Sequence, residues 1–264
     1  MEQFRLYKGG WVNIVPHNAE RIDRSKASGL MKKGGKFVKN VYNWDKKEDS
    51  SFWYVIKDEY GGIDELPAKV RNQVRKSLKT YDIRLVSPEE MQEKGFELFN
   101  KSRARFGGDL SVTKEQWAKR VNGGKGDQDF WLAIDKETGE AEGFGINRIV
   151  EDYCSYVSMG VNPDAPKSTY PMYGLILEMN RYYLEELKLK YVCDGARSTT
   201  EHSNIQPFLE EKFKFRKAYC DLQMFYKPWL GMVVKVLFPF RKIIKNKKIE
   251  AFLNQESMAR GLHK

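Results

Sequence analysis

Apolar residues recur at every fourth position between Val70 and Leu78, as Val70, Val74 and Leu78, while Lys69, Arg71, Arg75, Lys76 and Lys79 take the positions between them. A period close to 3.6 predicts a short helix with a basic outer face. Leu66-Pro67 marks its entry, because proline in a first turn gives up an N–H that has no partner inside the helix. A strand, Ile83–Val86, follows. The strongest stripe of the chain is Met172, Leu175, Ile176, Met179, Tyr182, Tyr183 and Leu187, one apolar face of a helix over Met172–Leu187. Thr169 is its expected cap, with Pro171 in the first turn. Ile205, Phe208, Leu209 and Phe213 form a third stripe. Its cap is Asn204, since that placement makes Pro207 the third helical residue, where no N–H is needed. Ser87, Pro88, Glu89 and Glu90 read as cap, first helical proline and acidic first turn of a longer helix closed by Gly107. A shorter helix follows in "SVTKEQWAKRVNGG".

Strand patterns fill the remainder. "WVNIV", "KFVKNVYNW" and "FWYVIKD" are short apolar or alternating runs separated by polar, Gly-containing turns, and they make residues 1–60 β-rich. "DFWLAIDKETGEAEGFGINRIV" reads as a hairpin with Gly139 in its turn. "CSYVSMGV", "LKYVC" and "KAYCDLQMFY" are the last three strands. Residues 87–227 therefore run helix, helix, hairpin, strand, helix, strand, helix, strand: an α/β order with two helical crossovers. Right-handed crossover predicts Ser155–Val161 and Leu189–Cys193 as adjacent parallel strands. The chain divides on this reading into an N-terminal β-rich part with the basic helix (1–86), an α/β core (87–227) and an amphipathic basic tail (228–264).

Composition narrows the function classes. The chain has 264 residues, of which 41% are hydrophobic, enough to bury a sizeable core. Its 46 basic against 36 acidic residues leave a net charge of +10, which favours an anionic partner: nucleic acid, a phosphorylated cofactor or a membrane surface. Three widely spaced cysteines, Cys154, Cys193 and Cys220, point to a reducing compartment and to neither a zinc site nor a disulfide framework. No apolar leader opens the sequence and no run is long enough to span a bilayer. The expected location is cytoplasmic, with peripheral attachment to the inner face of the membrane as an extension of that reading.

The polar run "DGARSTTEHSN" starts where the strand Leu189–Cys193 ends. Ligands of α/β sheets collect beyond the carboxyl ends of parallel strands, so this run is a candidate site rim. Arg197 can pair with a phosphate or carboxylate, and His202 can move a proton near neutral pH. Tyr170, Tyr173 and Tyr219 are further acid or substrate-contact candidates, with Tyr219 and His202 as the catalytic pair. Arg71 and Arg75 are anion-binding candidates on the basic helix. No His, Cys, Asp or Glu group has metal-ligand spacing.

Three stretches carry a resemblance to a known family: "LPAKVRNQVRKSLKTYDIRL", "SYVSMGVNP…YPMYGLILEMNRYYLEELKLKYVCDGAR" and "NIQPFLEEKFKFRKAY". Their order resembles the GNAT acyltransferase fold, in particular its FemAB-like branch, over about residues 66–227. The resemblance implies a GNAT-like mixed sheet flanked by helices, with a central parallel pair that splays. It implies transfer of an acyl or aminoacyl group to an amine acceptor, with a cell-envelope precursor as one such acceptor, and backbone donors at Met159, Gly160 and Val161 that polarise the donor carbonyl. Gly160 suits a bulge or a close backbone approach. Acetyl-CoA-dependent members carry a Gly-rich pyrophosphate loop after the central strand. Here that position reads "NPDAPKSTYPMYG", with prolines that have no N–H to donate, and a CoA pyrophosphate falls instead to Lys167, Ser168 and Thr169, with Asn204 at the next helix start. The donor stays open between acyl-CoA and aminoacyl-tRNA, so tRNA is a possible partner. A non-catalytic module of the same fold, binding nucleic acid or an anionic membrane surface, is the alternative.

In the tail, Trp229–Phe240 is nearly all apolar, and Arg241, Lys242, Lys245, Lys247 and Lys248 follow. Pro239 predicts two segments rather than one helix. Residues 228–248 either pack on the domain or on a second copy, or lie on an anionic membrane surface.

Overall fold

The protein is described from a computed structural model over residues 3–104, 111–123, 127–197 and 205–262. Along the chain the elements are β1 (Phe4–Tyr7), β2 (Gly10–Asn13), α1 (Arg24–Lys32), β3 (Phe37–Tyr42), β4 (Phe52–Lys57), α2 (Ala68–Thr80), β5 (Tyr81–Val86), α3 (Pro88–Ala104) and α4 (Lys114–Asn122). Then come β6 (Gln128–Asp135), β7 (Ala141–Val150), β8 (Tyr153–Val161), α5 (Pro171–Asn180), β9 (Tyr191–Ala196), α6 (Ile205–Phe213), β10 (Arg216–Tyr226), α7 (Pro228–Leu237) and α8 (Lys247–Ala259). They divide between two compact units. One comprises Ile56–Gly195 and His202–Arg216; the other comprises Met1–Val55, Ala196–Glu201 and Lys217–Lys264.

The first of these units holds the strands in the order β9-β8-β7-β6-β5. The pairs β5–β6, β6–β7 and β7–β8 are antiparallel, and β8–β9 is parallel, as the crossover rule requires. Both faces of β6 and β7 are covered, which explains their near-continuous apolar runs. Phe130, Leu132, Ile134, Phe144 and Ile146 pack with Met91, Leu98 and Phe99 of α3 and Trp117 and Val121 of α4. The alternate positions face α5 and the helical turn that continues it: Asn147 Nδ2 approaches Met179 Sδ (3.0 Å), and Trp131 Nε1 donates to Tyr183 Oη (2.9 Å). At Gly145 a Cβ would lie 2.7 Å from Met179 Sδ, so the missing side chain lets α5 settle on the sheet. Cap chemistry fixes the helix starts. Glu90 N–H donates to Ser87 Oγ (3.2 Å), and Thr113 with Gln116 forms a capping box at α4. Gly139, at φ +74°, turns the β6–β7 hairpin as expected.

Three details depart from the sequence reading. The third buried position of α2 is Ser77, with Leu78 only partly buried. Gly174 of α5 donates its N–H to Ser77 Oγ (3.2 Å), so two small residues bring the helices together where a leucine would hold them apart. Gly174→Val would set a Cβ 2.5 Å from both Ser77 Oγ and Ile83 Cδ1. Such overpacking is expected to cost about 1–3 kcal/mol, read as a lower denaturant midpoint with an unchanged slope. Second, Thr169 does not cap α5. Its hydroxyl donates to Pro166 O (2.6 Å) and accepts from Tyr81 Oη (2.6 Å), while Tyr170 occupies the cap position at φ +54°. Third, the stripe over Met172–Leu187 is not one uniform helix: α5 ends at Asn180 and a π-helical segment, Arg181–Glu186, continues it. The Gly107 and Asn204 assignments lie outside the described residues.

The second unit holds β1-β2-β3-β10-β4 in that order. β1–β2 and β3–β10 are antiparallel and β2–β3 is parallel. The buried Asn40 joins a chain of amides: Asn13 Nδ2 donates to Asn40 Oδ1 (2.9 Å), and Asn40 Nδ2 donates to Gln223 Oε1 and Glu20 O (each 2.9 Å). A satisfied polar network fixes strand register at little cost. Helix α1 had no counterpart in the sequence reading. It rests on the cap Asp23, whose Oδ1 accepts from Lys26 N–H (2.7 Å), and buries little beyond Ala27 and Met31. The chain after β10 breaks near Pro239 as expected: α7 ends at Leu237, a single 3₁₀ turn spans Phe238–Phe240, and α8 begins at Lys247. Val234, Phe238 and Leu253 join these segments, and Tyr226 donates to the buried Glu256 carboxylate of α8.

Candidate active site

The β8 strand pairs with β7 from end to end but with β9 over only part of its length. Opposite β7, Asn147 pairs with Tyr156 and Ile146 with Ser158, so Val157 is an extra residue that faces no residue of β7. A bulge of this kind bends the strand and raises its twist, and it leaves Val157 45% exposed. The sequence reading had Gly160 as the bulge candidate; the bulge lies three residues earlier. Gly160 instead meets the close-approach requirement, since a Cβ there would lie 2.1 Å from Ser102 Oγ and 2.7 Å from Phe144. On the other edge, β8 pairs with β9 only at Tyr153↔Tyr191, Cys154↔Val192 and Ser155↔Cys193. Both strands continue beyond those pairs, β8 to Val161 and β9 to Ala196. The pairing therefore stops at the carboxyl end of a parallel pair, immediately before the bulge, which is where an α/β sheet admits ligands.

Two side chains mark this opening, one from each strand. Asp194 is the residue after the last β9 pair. Burial pushes its carboxyl up to about 7, against the opposing effect of a hydrogen bond with Gln206 of α6. Gly195 follows at φ +94°, a conformation that suits glycine and turns the chain as it leaves the strand. Tyr156 is the residue after the last β8 pair. It is buried, and its hydroxyl donates to Oδ1 of the buried Asn180 at the end of α5 (2.7 Å). Burial is the main cause that raises the Tyr156 hydroxyl well above the ordinary tyrosine range, and the neighbouring Cys154 and Asp194 add to it. The arrangement supplies a carboxylate poised to exchange a proton near neutrality, which is what a general base requires. Cys154 and Cys193 flank the opening as buried thiols, and burial raises the Cys154 thiol well above its ordinary value, so Cys154 lacks the character of a nucleophile.

The residues singled out from sequence fall into several places. Met159, Gly160 and Val161 lie on β8 beyond the bulge, paired with Gly145, Phe144 and Gly143. Lys167 and Ser168 are exposed in the turn before α5, with Thr169 held by Pro166 and Tyr81 as above. The Tyr170 ring meets Tyr173 (5.5 Å), and Tyr173 packs against Phe208 (5.2 Å) and Phe213 (5.8 Å) of α6. Arg71 Nη1 donates to Leu66 O (2.8 Å) at the start of α2, and Arg75 is exposed one turn on. Arg197 and Tyr219 belong to the other unit, where both meet Trp53: the Arg197 guanidinium lies 4.3 Å from the ring centroid and donates to Ser51 O (2.7 Å), and the Tyr219 ring lies edge-on at 5.9 Å. His202 and Asn204 lie outside the described residues. Among the described residues no group of three His, Cys, Asp or Glu side chains is placed to hold a metal ion.

Sequence reasoning passed over Asp194, Tyr156, Asn180 and Gln206. For Asp194 a signal was present: a carboxylate that follows Tyr191-Val192-Cys193 directly sits at the end of a buried strand. The other three are noticeable only once the strands are known to part at Ser155.

The sequence matches no protein-family model and no curated protein. Solved structures do resemble it. The C-terminal (DUF2156) domain of an Agrobacterium fabrum protein assigned as a lysylphosphatidylglycerol synthetase has 9% identity and a TM-score of 0.50, over 89% of this chain and 84% of that one. L-PGS from Bacillus licheniformis has 13% identity and a TM-score of 0.50, over 91% of this chain and 72% of that one. FemX has 11% identity and a TM-score of 0.49; the match covers 69% of this chain, which spans 64% of the length of FemX. At these identities the likeness is one of fold. The shared fold is a mixed sheet flanked by helices, and its parallel β8–β9 pair stops at Ser155↔Cys193.

Proposed function

We propose that the protein is an acyl or aminoacyl transferase that works at the opening between β8 and β9, with Asp194 as its general base. The observation that carries this reading is the partly buried Asp194 carboxyl, raised to about 7 at the point where the two parallel strands cease to pair. As the acceptor nitrogen attacks the donor carbonyl, the Asp194 carboxylate takes the amine proton. The new N–C bond forms, the bond from the carbonyl carbon to the leaving oxygen or sulfur breaks, and Asp194 returns the proton to that leaving atom. A group that titrates near neutrality serves both steps. Backbone N–H groups of β8 beyond the bulge, at Met159 and Val161, alternate with those turned toward β7 and supply donors to the developing oxyanion.

Aminoacyl-tRNA is the donor we favour. The turn before α5 carries prolines at 163, 166 and 171 and so lacks the run of N–H groups that a CoA pyrophosphate needs. The net charge of +10 suits a nucleic-acid donor, and two neighbours of similar fold are a lysylphosphatidylglycerol synthetase domain and L-PGS. The acceptor is an amine, on a cell-envelope precursor in the fullest form of the reading. The experiment supplies purified protein with tRNA charged with labelled amino acids, and separately with labelled acetyl-CoA, in the presence of an envelope extract and simple amines. Label moving from tRNA to an acceptor supports the reading, and movement from acetyl-CoA alone reassigns the donor. RNA retained by the protein with no transfer from either donor would support the non-catalytic module instead.

A further inference from the structure

The α7 helix has two apolar faces, and only one of them is accounted for by the fold. Val234 is buried, and Leu230 and Leu237 pack with it against Phe238, Leu253 and Phe252. Trp229, Met232, Val233 and Val236 recur at the spacing of one helix face and all stand exposed, Met232 at 69%. Beyond the Pro239 break the same exposure continues at Phe240 and Ile243, the latter 73% exposed. An apolar patch of this extent, continuous along one face, marks an interaction surface.

The charge around the patch decides what covers it. Residues 228–248 contain six cations, Lys235, Arg241, Lys242, Lys245, Lys247 and Lys248, and no acidic residue. Every lysine among them is exposed. Two clefts open beside α7 within the same unit. One, of about 760 Å³, carries Arg24, Lys32 and Lys227 above an apolar floor that includes Met31 and Pro228. The other, of about 400 Å³, carries Lys8, Lys36 and Lys248 around Val233 and Phe252. No Asp or Glu lines either cleft. An apolar ridge between two cation-rimmed, acid-free clefts matches the surface of an anionic bilayer: apolar side chains reach the acyl boundary while the cations meet phosphates. A second copy of the chain would bring cations against cations around the same ridge. No helix of the described residues is long and apolar enough to cross a membrane, so attachment is at the interface.

We propose that α7 and the turn after it are a docking surface for an anionic phospholipid bilayer, with Trp229, Met232, Val236, Phe240 and Ile243 entering the interface and the flanking cations holding phosphate headgroups. The full-length protein is expected to float with vesicles of phosphatidylcholine and phosphatidylglycerol and to remain behind with phosphatidylcholine alone, and its flotation should fall as salt rises. The triple variant Trp229→Ser/Met232→Ser/Val236→Ser should lose about tenfold or more in vesicle partitioning, with its circular dichroism and melting temperature retained, since the replaced side chains face water. Lys242→Glu/Lys245→Glu/Lys248→Glu should lose a similar amount on the anionic vesicles. Equal flotation on both vesicle types, or flotation undiminished in both variants, would overturn the proposal. So would a sedimentation dimer that the triple variant breaks, or binding to soluble RNA with no flotation. None of these readings depends on transferase activity, so this proposal and the proposed reaction stand or fall separately.

Discussion

Asp194→Asn is expected to lower transfer activity by roughly 10²–10⁴-fold and, at neutral pH and above, to make the protein more stable. The two effects share one cause. Burial holds the carboxyl at about 7 in the folded protein against an ordinary value of 3.8. Between those values the folded chain keeps a proton that the unfolded chain has released, so the folded state is favoured at low pH. Stability therefore declines as pH rises from about 4 to about 7, and the full penalty persists above that. Asparagine does not ionise and escapes the penalty, which for a group so enclosed is on the order of a few kcal/mol. Denaturant midpoints of both proteins at pH 5 and pH 8 test this directly: the variant's gain on the wild type should be clearly larger at the higher pH. Activity runs the other way, because a base must be ionised to accept a proton. The wild-type rate should rise through about pH 7 and then level off. A variant that loses stability at both pH values would show Asp194 to be a structural residue.

The second large effect is expected from Phe99→Ala. Phe99 is fully buried on α3, its ring 4.9 Å from Trp117 of α4 and 5.6 Å from Phe144 of β7. The guanidinium groups of Arg103 and Arg120 lie 5.1 and 5.0 Å from its centroid. Truncation removes the contact that joins two helices to the sheet and leaves a cavity that the rigid β6–β7 hairpin does not close. A loss of about 3–5 kcal/mol follows from such deletions, measured as a drop in denaturant midpoint. Because α3 also abuts Gly160 through Ser102, the far end of β8 should loosen with it, and amide exchange at Met159–Val161 should quicken more than at Tyr153–Ser155.

Elements that bury a whole face were legible in the sequence. The periodicities of α2, α5 and α6 and the β6–β7 hairpin announce themselves because one side of each is continuous apolar surface. Helix α1 was not, since it buries little more than Ala27 and Met31 and is held by the Asp23 cap. Ser77 was overlooked for a related reason. Its burial comes from the small size of Gly174 opposite, a pairing that no single helix displays. The site divides in the same manner. The order of the strands followed from topology, and the polar run after Cys193 begins where β8 and β9 cease to pair. The raised carboxyl of Asp194, the base proposed above, was not legible, because it depends on burial and on Gln206 of α6. Arg197 was legible as a cation at a strand end, while its seat on Trp53 and Ser51 rests on residues some 145 positions earlier in the chain.

The π-helical segment Arg181–Glu186 gives the central helix an expansion joint. Successive residues of an α-helix point about 100° apart, yet Tyr182 and Tyr183 both lie against Trp131, at 5.5 and 6.2 Å between ring centroids. A wider turn makes room for the two neighbours on one indole. Upstream, the pitch of α5 is dictated by glycines and by Asn180, whose carbonyl oxygen holds the Tyr156 hydroxyl; downstream, it is dictated by the Trp131, Tyr183 and Asp129 hydrogen bonds. The joint lets each half keep its own phase.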